Sequence, residues 1–153
     1  MNILAIDPGN ILSAFIVWNG QEILDKGKIL NHELLEYLAA RSKNYDICVI
    51  EQVAAMGMAV GFSVFETVFW SGRYYQVAHQ ADKQVYRIPR KDIKMNICGS
   101  MRAKDKNIRQ ALIDRLDPDN QPNKKPQGIL KGVSADVWAA LAVAITYQDL
   151  YKN

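Results

Sequence analysis

Two uninterrupted apolar runs, Ile3-Leu-Ala-Ile6 and Ile47-Cys-Val-Ile50, each end on a carboxylate, Asp7 and Glu51. Four consecutive apolar side chains cannot alternate between a wet and a dry face. Both runs are therefore predicted as strands buried on both sides, inside a sheet covered by helices. Pro8 has no N–H to add to a ladder and Gly9 is free to take positive φ, so the chain turns directly after Asp7 and leaves its carboxylate at the mouth of the sheet. A turn-forming Asp before Pro-Gly is the ordinary explanation of Asp7. Glu51 has no such local role.

The segments between and after these runs predict a mixed sheet. Residues 11–18 are rich in β-branched and aromatic side chains, Asn19-Gly20 is a hairpin signal, and 22–29 returns as a third strand, so the chain opens with an antiparallel meander. Asn31 is expected to cap a helix running to about residue 43, with Leu34, Leu35, Leu38 and Ala39 inward. A helical crossover of this kind returns the chain parallel to its first strand, which places 45–51 beside 1–7 and brings Asp7 and Glu51 to one edge. Residues 52–61 read as a loop. Phe62, Phe65, Val68, Phe69, Gly72 and Tyr75 then recur at helical spacing to about residue 80, more aromatic surface than one side of a small sheet needs. This points to a dimer interface, with an ordinary core helix as the competing reading. A short strand at 84–88 stops at Pro89, helices follow at 90–98 and 103–116, and 117–131, with Pro122 and Pro126, reads as an exposed loop. Ser134 is expected to cap a last, alanine-rich helix over 135–150. The whole is an α/β fold, one domain over 1–153.

Composition narrows the class. Hydrophobic residues make up 49% of the chain and charged residues 23%, as in ordinary globular proteins. No apolar run of membrane-spanning length and no basic leader occurs, so a cytoplasmic location is expected. Cys48 and Cys98 lack CxxC or His companions and read as packed thiols. The net charge is only +3, but between Lys83 and Arg109 nine basic residues face only Asp92 and Asp105, a local balance of +7. That concentration predicts a polyanionic partner.

Asp136 falls in the first turn predicted for the last helix, which must pack on the sheet that carries Asp7 and Glu51. Acids favour that position through the helix dipole, which is the local explanation. Three carboxylates buried together raise one another's pKa unless hard cations neutralise them. Magnesium suits such a set, and a pair of ions about 4 Å apart supports phosphodiester hydrolysis.

With Leu4-Ala-Ile-Asp7-Pro-Gly9, Val49-Ile-Glu51-Gln52-Val53 and Ala135-Asp136 leading into Ala140-Leu-Ala-Val-Ala-Ile-Thr146 in this order, the chain resembles the RuvC-type Holliday junction resolvases. These belong to the RNase H-like nuclease superfamily, and the compact phage and plasmid versions are the most similar. The resemblance implies an RNase H-like five-stranded mixed sheet flanked by helices, and a homodimeric, Mg2+-dependent endonuclease that nicks branched DNA symmetrically. It implies Asp7, Glu51 and Asp136 as ligands of two metal ions, with Mn2+ able to substitute. It also implies lysines before the last helix that touch DNA. Lys94 matches one of these; Lys104 and Lys106 compete for the second, a catalytic position assigned to Lys106. Arg90, Lys91, Lys94, Arg102, Lys104 and Lys106 are then the expected DNA-binding set.

Two positions depart from the family pattern. Many relatives carry a second metal-binding residue one helical turn from the first on the last helix. Here that position is Ala139, so either a fourth ligand is absent or Asp136 takes the second position. Where relatives place an aromatic wedge after the strand-end glutamate, this chain has Ala54, and Met56, Met58 or Phe62 are the substitutes within reach. Two other readings stand beside the resolvase: an RNA-processing or RNA–DNA hybrid nuclease of the same superfamily, and a junction-binding architectural protein without chemistry, for which Ala139 is the hint.

Overall fold

A computed structural model describes residues 1–55 and 57–152. Met56, one of the candidate wedges, lies outside the described residues. Five strands, β1 (Ile3–Asp7), β2 (Leu12–Trp18), β3 (Ile23–Leu30), β4 (Ile47–Gln52) and β5 (Gln84–Pro89), form one sheet in the order β3-β2-β1-β4-β5. β1, β2 and β3 pair antiparallel, while β1–β4 and β4–β5 are parallel. The predicted meander and parallel crossover are both present. The two all-apolar runs occupy the sheet centre, where Ile3, Leu4, Ala5 and Ile6 and then Cys48, Val49 and Ile50 are fully buried.

The helices divide between the two faces. On one lie α1 (Asn31–Ala40) and α2 (Phe62–Gln80), over Leu4, Ile6, Phe15, Val17, Cys48 and Ile50. On the other, α5 (Val137–Tyr151) crosses β1 and β2, with α3 (Arg90–Cys98) and α4 (Asp105–Leu116) beside it. The alanines of α5 allow that close approach: Ala140, Ala142 and Ala144 are all buried between sheet and flanking helices. Asp7, two residues on from Ala5, and Glu51, two on from Val49, belong to the α5 face by strand alternation.

Local expectations failed where side chains found better partners. Asn31 is not a cap; it is the first residue of α1 and is buried. Its amide donates to the Gly9 carbonyl oxygen at 2.9 Å, and the Ser13 hydroxyl donates to its Oδ1 at 2.7 Å. α1 ends at Ala40 rather than near 43, and a 3-10 turn, Ser42–Asn44, follows it. The hairpin after β2 is wider than a two-residue Asn-Gly turn, because the Asn19 side chain accepts from the backbone N–H groups of Gln21 and Glu22 at 2.9 and 2.8 Å. A register shift at Val17/Trp18 adds one residue to β3. The loop at 117–131 is anchored by a 3-10 turn, Gly128–Leu130, that buries Leu130 completely. Ser134 makes no cap; Asp136 is the residue before α5, without a side-chain bond to the helix N-terminus.

Most of the sequence-predicted stripe on α2 faces outward. Phe62, Phe65, Val68 and Phe69 are exposed, and only Tyr74 and Ala78 of this helix are fully buried. The helix packs by its narrow side and leaves its aromatic side bare.

Candidate active site

Asp7 ends β1 and Glu51 is the last residue but one of the parallel β4, each one step beyond the Ile6–Ile50 pair, so their carboxyls meet at the sheet mouth. Burial is the main cause that pushes the Asp7 carboxyl up to about 8, reinforced by the charges of Glu51 and Asp136 and by a hydrogen bond to Glu51. Arg90 partly offsets this. In the metal-free chain the protonated form of Asp7 is thereby favoured. The turn behind it is pinned, since the Gly9 N–H donates to the Ser13 hydroxyl at 3.0 Å and Asn31 holds the Gly9 carbonyl.

Two basic side chains answer the acids. Arg90, the first residue of α3, donates Nη1 to Glu51 Oε1 at 3.0 Å, and its Nη2 pairs with Asp105. Its position follows from β5 running beside β4: Glu51 pairs with Ile88 in the ladder, and the chain turns into α3 directly after Pro89. On the opposite side Lys28 of β3 brings its Nζ to 2.6 Å from Asp136 Oδ2. Asp136 is held over the sheet by the backbone before it, where Ala135 takes φ +47°. A non-glycine residue in the left-handed region is strained, and here the strain sets the direction in which Asp136 leaves α5.

Asp7 and Asp136 open onto a cleft of about 640 Å³ between α4, α5 and the 117–131 loop, with Lys106, Arg109 and Lys125 on its walls; Asp136 is exposed there, not buried with the other two acids as the sequence led one to expect. A smaller hollow of about 190 Å³, lined by Glu51, Ala54 and Thr67, meets the same Asp7 from the α2 side. Ala54, the position of the expected wedge, thus lies beside the acids and fills little of that space.

Of the sequence-predicted residues, Asp7, Asp136, Arg90 and Lys106 line this cleft, while Glu51 lines the smaller hollow that shares Asp7 with it. Lys104, the residue before α4, is exposed and lines none of the cleft, so of the two competing lysines Lys106 is the one beside the acids. Lys91 and Arg102 are exposed and Lys94 is half-buried, all outside the cleft lining on the α3 side. Lys28 had drawn no attention in the sequence. Neither had Arg109 and Lys125 as neighbours of the acids.

In kind, the donor set suits a hard divalent cation: carboxylate oxygens only, with burial first and the neighbouring acids second raising the Asp7 carboxyl in the cation's absence. The set is not drawn tightly around one point. Among the described residues no three His, Cys, Asp or Glu side chains are close enough together to hold a metal ion; Asp136 is paired with Lys28 and Glu51 with Arg90.

Among known proteins, no family model and no curated sequence matches this chain. Solved structures do. The fold is that of RNase H-like proteins. Within that class it follows RuvC: the Thermus thermophilus RuvC structure superposes with a TM-score of 0.67 at 16% identity, over 96% of this chain and 93% of that one. The same organism's RuvC in complex with a Holliday junction substrate superposes at 0.69 with 16% identity, over 96% of this chain and 92% of that one.

Proposed function

We propose that residues 1–153 form a single nuclease domain that, as a homodimer in the cytoplasm, resolves four-way junctions and other branched DNA by symmetric, Mg2+-dependent nicking. The observation that carries the reading is the placing of Asp7 beside Glu51 and Asp136, next to a cleft walled by Lys106, Arg109 and Lys125. Acids alone repel a phosphodiester and basic residues alone only bind it. The two together are what hydrolysis of a polyanion requires. The fold shared with a RuvC that is known bound to a Holliday junction supports a junction as the substrate.

In this mechanism Asp7, Glu51 and Asp136 would hold the cation, with Mn2+ a possible substitute for Mg2+. A bound divalent ion would lower the pKa of a water and polarise the scissile phosphate. The chain's own residues do the remaining work. Lys106 and Arg109 hold the phosphate over Asp7 from the α4 side. Arg90 fixes the Glu51 carboxylate while Asp105 steadies Arg90, so the Glu51 oxygens keep one orientation. Lys91, Lys94, Arg102 and Lys104 extend the basic surface along the DNA backbone. The bare aromatic face of α2, with Phe65 and Phe69, forms the interface that sets two centres against the two strands to be cut.

The test is purified protein with Mg2+ on a synthetic four-way junction, a Y-fork, a linear duplex and an RNA–DNA hybrid. Paired nicks confined to the junction are expected. Asp7→Asn, Glu51→Gln and Asp136→Asn should each lower cleavage about a thousandfold or more while sparing junction binding. Full nicking by Asp7→Asn would overturn the centre, hybrid cleavage would select the RNA-directed alternative, and binding without nicking the architectural one.

A further inference from the structure

The turn that aims Asp7 is held from the opposite face of the sheet. Asp7 pairs with Ala14 across β1 and β2, and both side chains point to the α5 face. Ser13, one residue earlier on β2, therefore points the other way with Phe15 and Val17, toward α1 and α2, and is buried there. From that side three bonds reach the backbone between Pro8 and Leu12. The Gly9 N–H donates to Ser13 Oγ at 3.0 Å, the Asn31 amide donates to the Gly9 carbonyl at 2.9 Å, and the Asn31 backbone N–H donates to the Ile11 carbonyl at 2.9 Å. The bend is so tight that a Cβ on Gly9 would run into the Leu12 carbonyl oxygen.

The direction of every bond in this network is fixed. Asn31 Oδ1 can only accept, so the single Ser13 proton goes to it, at 2.7 Å. One Ser13 lone pair takes the Gly9 N–H. The remaining contact, at 3.0 Å from the Tyr74 hydroxyl, is then a bond that Tyr74 donates. Burial raises the Tyr74 phenol to about 12, against a lowering by the Ser13 bond and Arg73, so this donor keeps its proton across the neutral range. Tyr74 is fully buried and lies in the second half of α2. Among the described residues its bond to Ser13 is the one side-chain hydrogen bond that leaves α2: Thr67 bonds back to Ser63 within the helix, and no salt bridge starts from it. We propose that Tyr74 is a positioning residue of the site: by donating to Ser13 it ties α2 to the bend after β1 and, through Ser13 and Gly9, sets the direction in which the Asp7 carboxyl leaves the sheet. Its consequence for cleavage rests on the nuclease reading above; its hold on the bend does not.

Tyr45 supplies the control. It is as deeply buried in the same apolar cluster, and its hydroxyl donates to the Leu38 carbonyl at 2.8 Å, a bond with no member in the bend. Tyr74→Phe and Tyr45→Phe each lose one buried hydroxyl. Amide hydrogen exchange of Gly9 is followed by nuclear magnetic resonance in the metal-free protein, with Val49 at the sheet centre reporting the stability of the whole fold. Cleavage of a four-way junction with Mg2+ is measured as kcat and KM separately. Tyr74→Phe should speed Gly9 exchange about fivefold more than Val49 exchange. It should also lower kcat about tenfold while KM stays within about twofold. Tyr45→Phe should speed both amides alike and leave kcat unchanged. Gly9 and Val49 changing in step in Tyr74→Phe, or a Gly9 response as large in Tyr45→Phe, would overturn the hold on the bend. Faster Gly9 exchange with an unchanged kcat would overturn the role in aiming Asp7. If the unaltered chain cut no junction, the nuclease reading would fall, and Gly9 exchange would still decide whether Tyr74 holds the bend.

Discussion

The side-chain amide of Asn31 donates to the carbonyl oxygen of Gly9 at 2.9 Å, tying the first turn of α1 to the bend that follows Asp7. The same Asn31 accepts from Ser13, whose hydroxyl lies 3.0 Å from that of Tyr74 on α2. One buried network thus connects β2, two helices and the turn that aims a site carboxylate. Asn31→Ala should cost about 2–3 kcal/mol, because it strands the Ser13 hydroxyl and the Gly9 carbonyl. Denaturant unfolding reads the loss, and a larger drop in cleavage than in junction binding would show that the Asp7 turn has loosened.

Asp7 also sets a pH dependence. Its folded pKa of about 8 lies above the ordinary 3.8, so between those values the fold keeps a proton that the unfolded chain releases. Stability of the metal-free protein should therefore fall as pH rises from about 4 to about 8. Asp7→Asn removes the penalty and should stabilise the metal-free protein at pH about 8 by about 2 kcal/mol or more, with little effect near pH 4. Thermal midpoints measured across that range in a chelator check both signs.

Lys106 and Lys104 sit two residues apart but differ in surroundings, one on the cleft wall and one outside it. Lys106→Ala should reduce cleavage more than Lys104→Ala does. Both should weaken junction binding and lower the slope of log affinity against log salt by about one. An unchanged slope for Lys106→Ala would mean that its ammonium touches no phosphate.

The aromatic side of α2 predicts self-association. Phe65, at 64% exposure, and Phe69, at 57%, are large apolar groups left in water by the fold of one chain. Phe65→Lys with Phe69→Glu should shift sedimentation equilibrium from dimer to monomer without changing the far-ultraviolet dichroism. A monomer mass for the unaltered chain at every concentration would remove the dimer.

Much of the fold was legible because the deciding signals were local. Ile3–Ile6 and Ile47–Ile50 have no polar member, which forces them to the sheet centre, and the acids that close them arrive at one edge with no further information. The stripe from Phe62 to Tyr75 was legible as surplus apolar surface. What stayed hidden depended on pairs distant in sequence. Asn31 looked like a cap because caps are its commonest local role, whereas its partners Gly9 and Ser13 come from the opening strands. Arg90 read as one more basic residue of a DNA-facing block, but the parallel pairing of β4 and β5 sets it against Glu51. Lys28 was hidden by the irregularity after Val17. A regular two-residue turn at Asn19-Gly20 gives the wrong parity for β3, and parity alone decides which face a strand residue takes.

That irregularity reaches well beyond the hairpin. Ala14 and Trp18 are four residues apart on β2, roughly 13 Å along a strand. At that remove, the one residue that β3 gains at Val17/Trp18 decides whether Lys28 faces Asp136 or the α1 side of the sheet. Deleting Leu24 itself would join the Trp18–Ile23 and Val17–Asp25 pairs into a regular ladder and keep Lys28 opposite Ala14, whereas pairing the same residues onward from Trp18–Ile23 without the bulge would put the uncharged Gly27 there. The bulge thus acts as a remote setting for which face of the sheet receives the Lys28 ammonium, the one beside Asp136 or the one under α1.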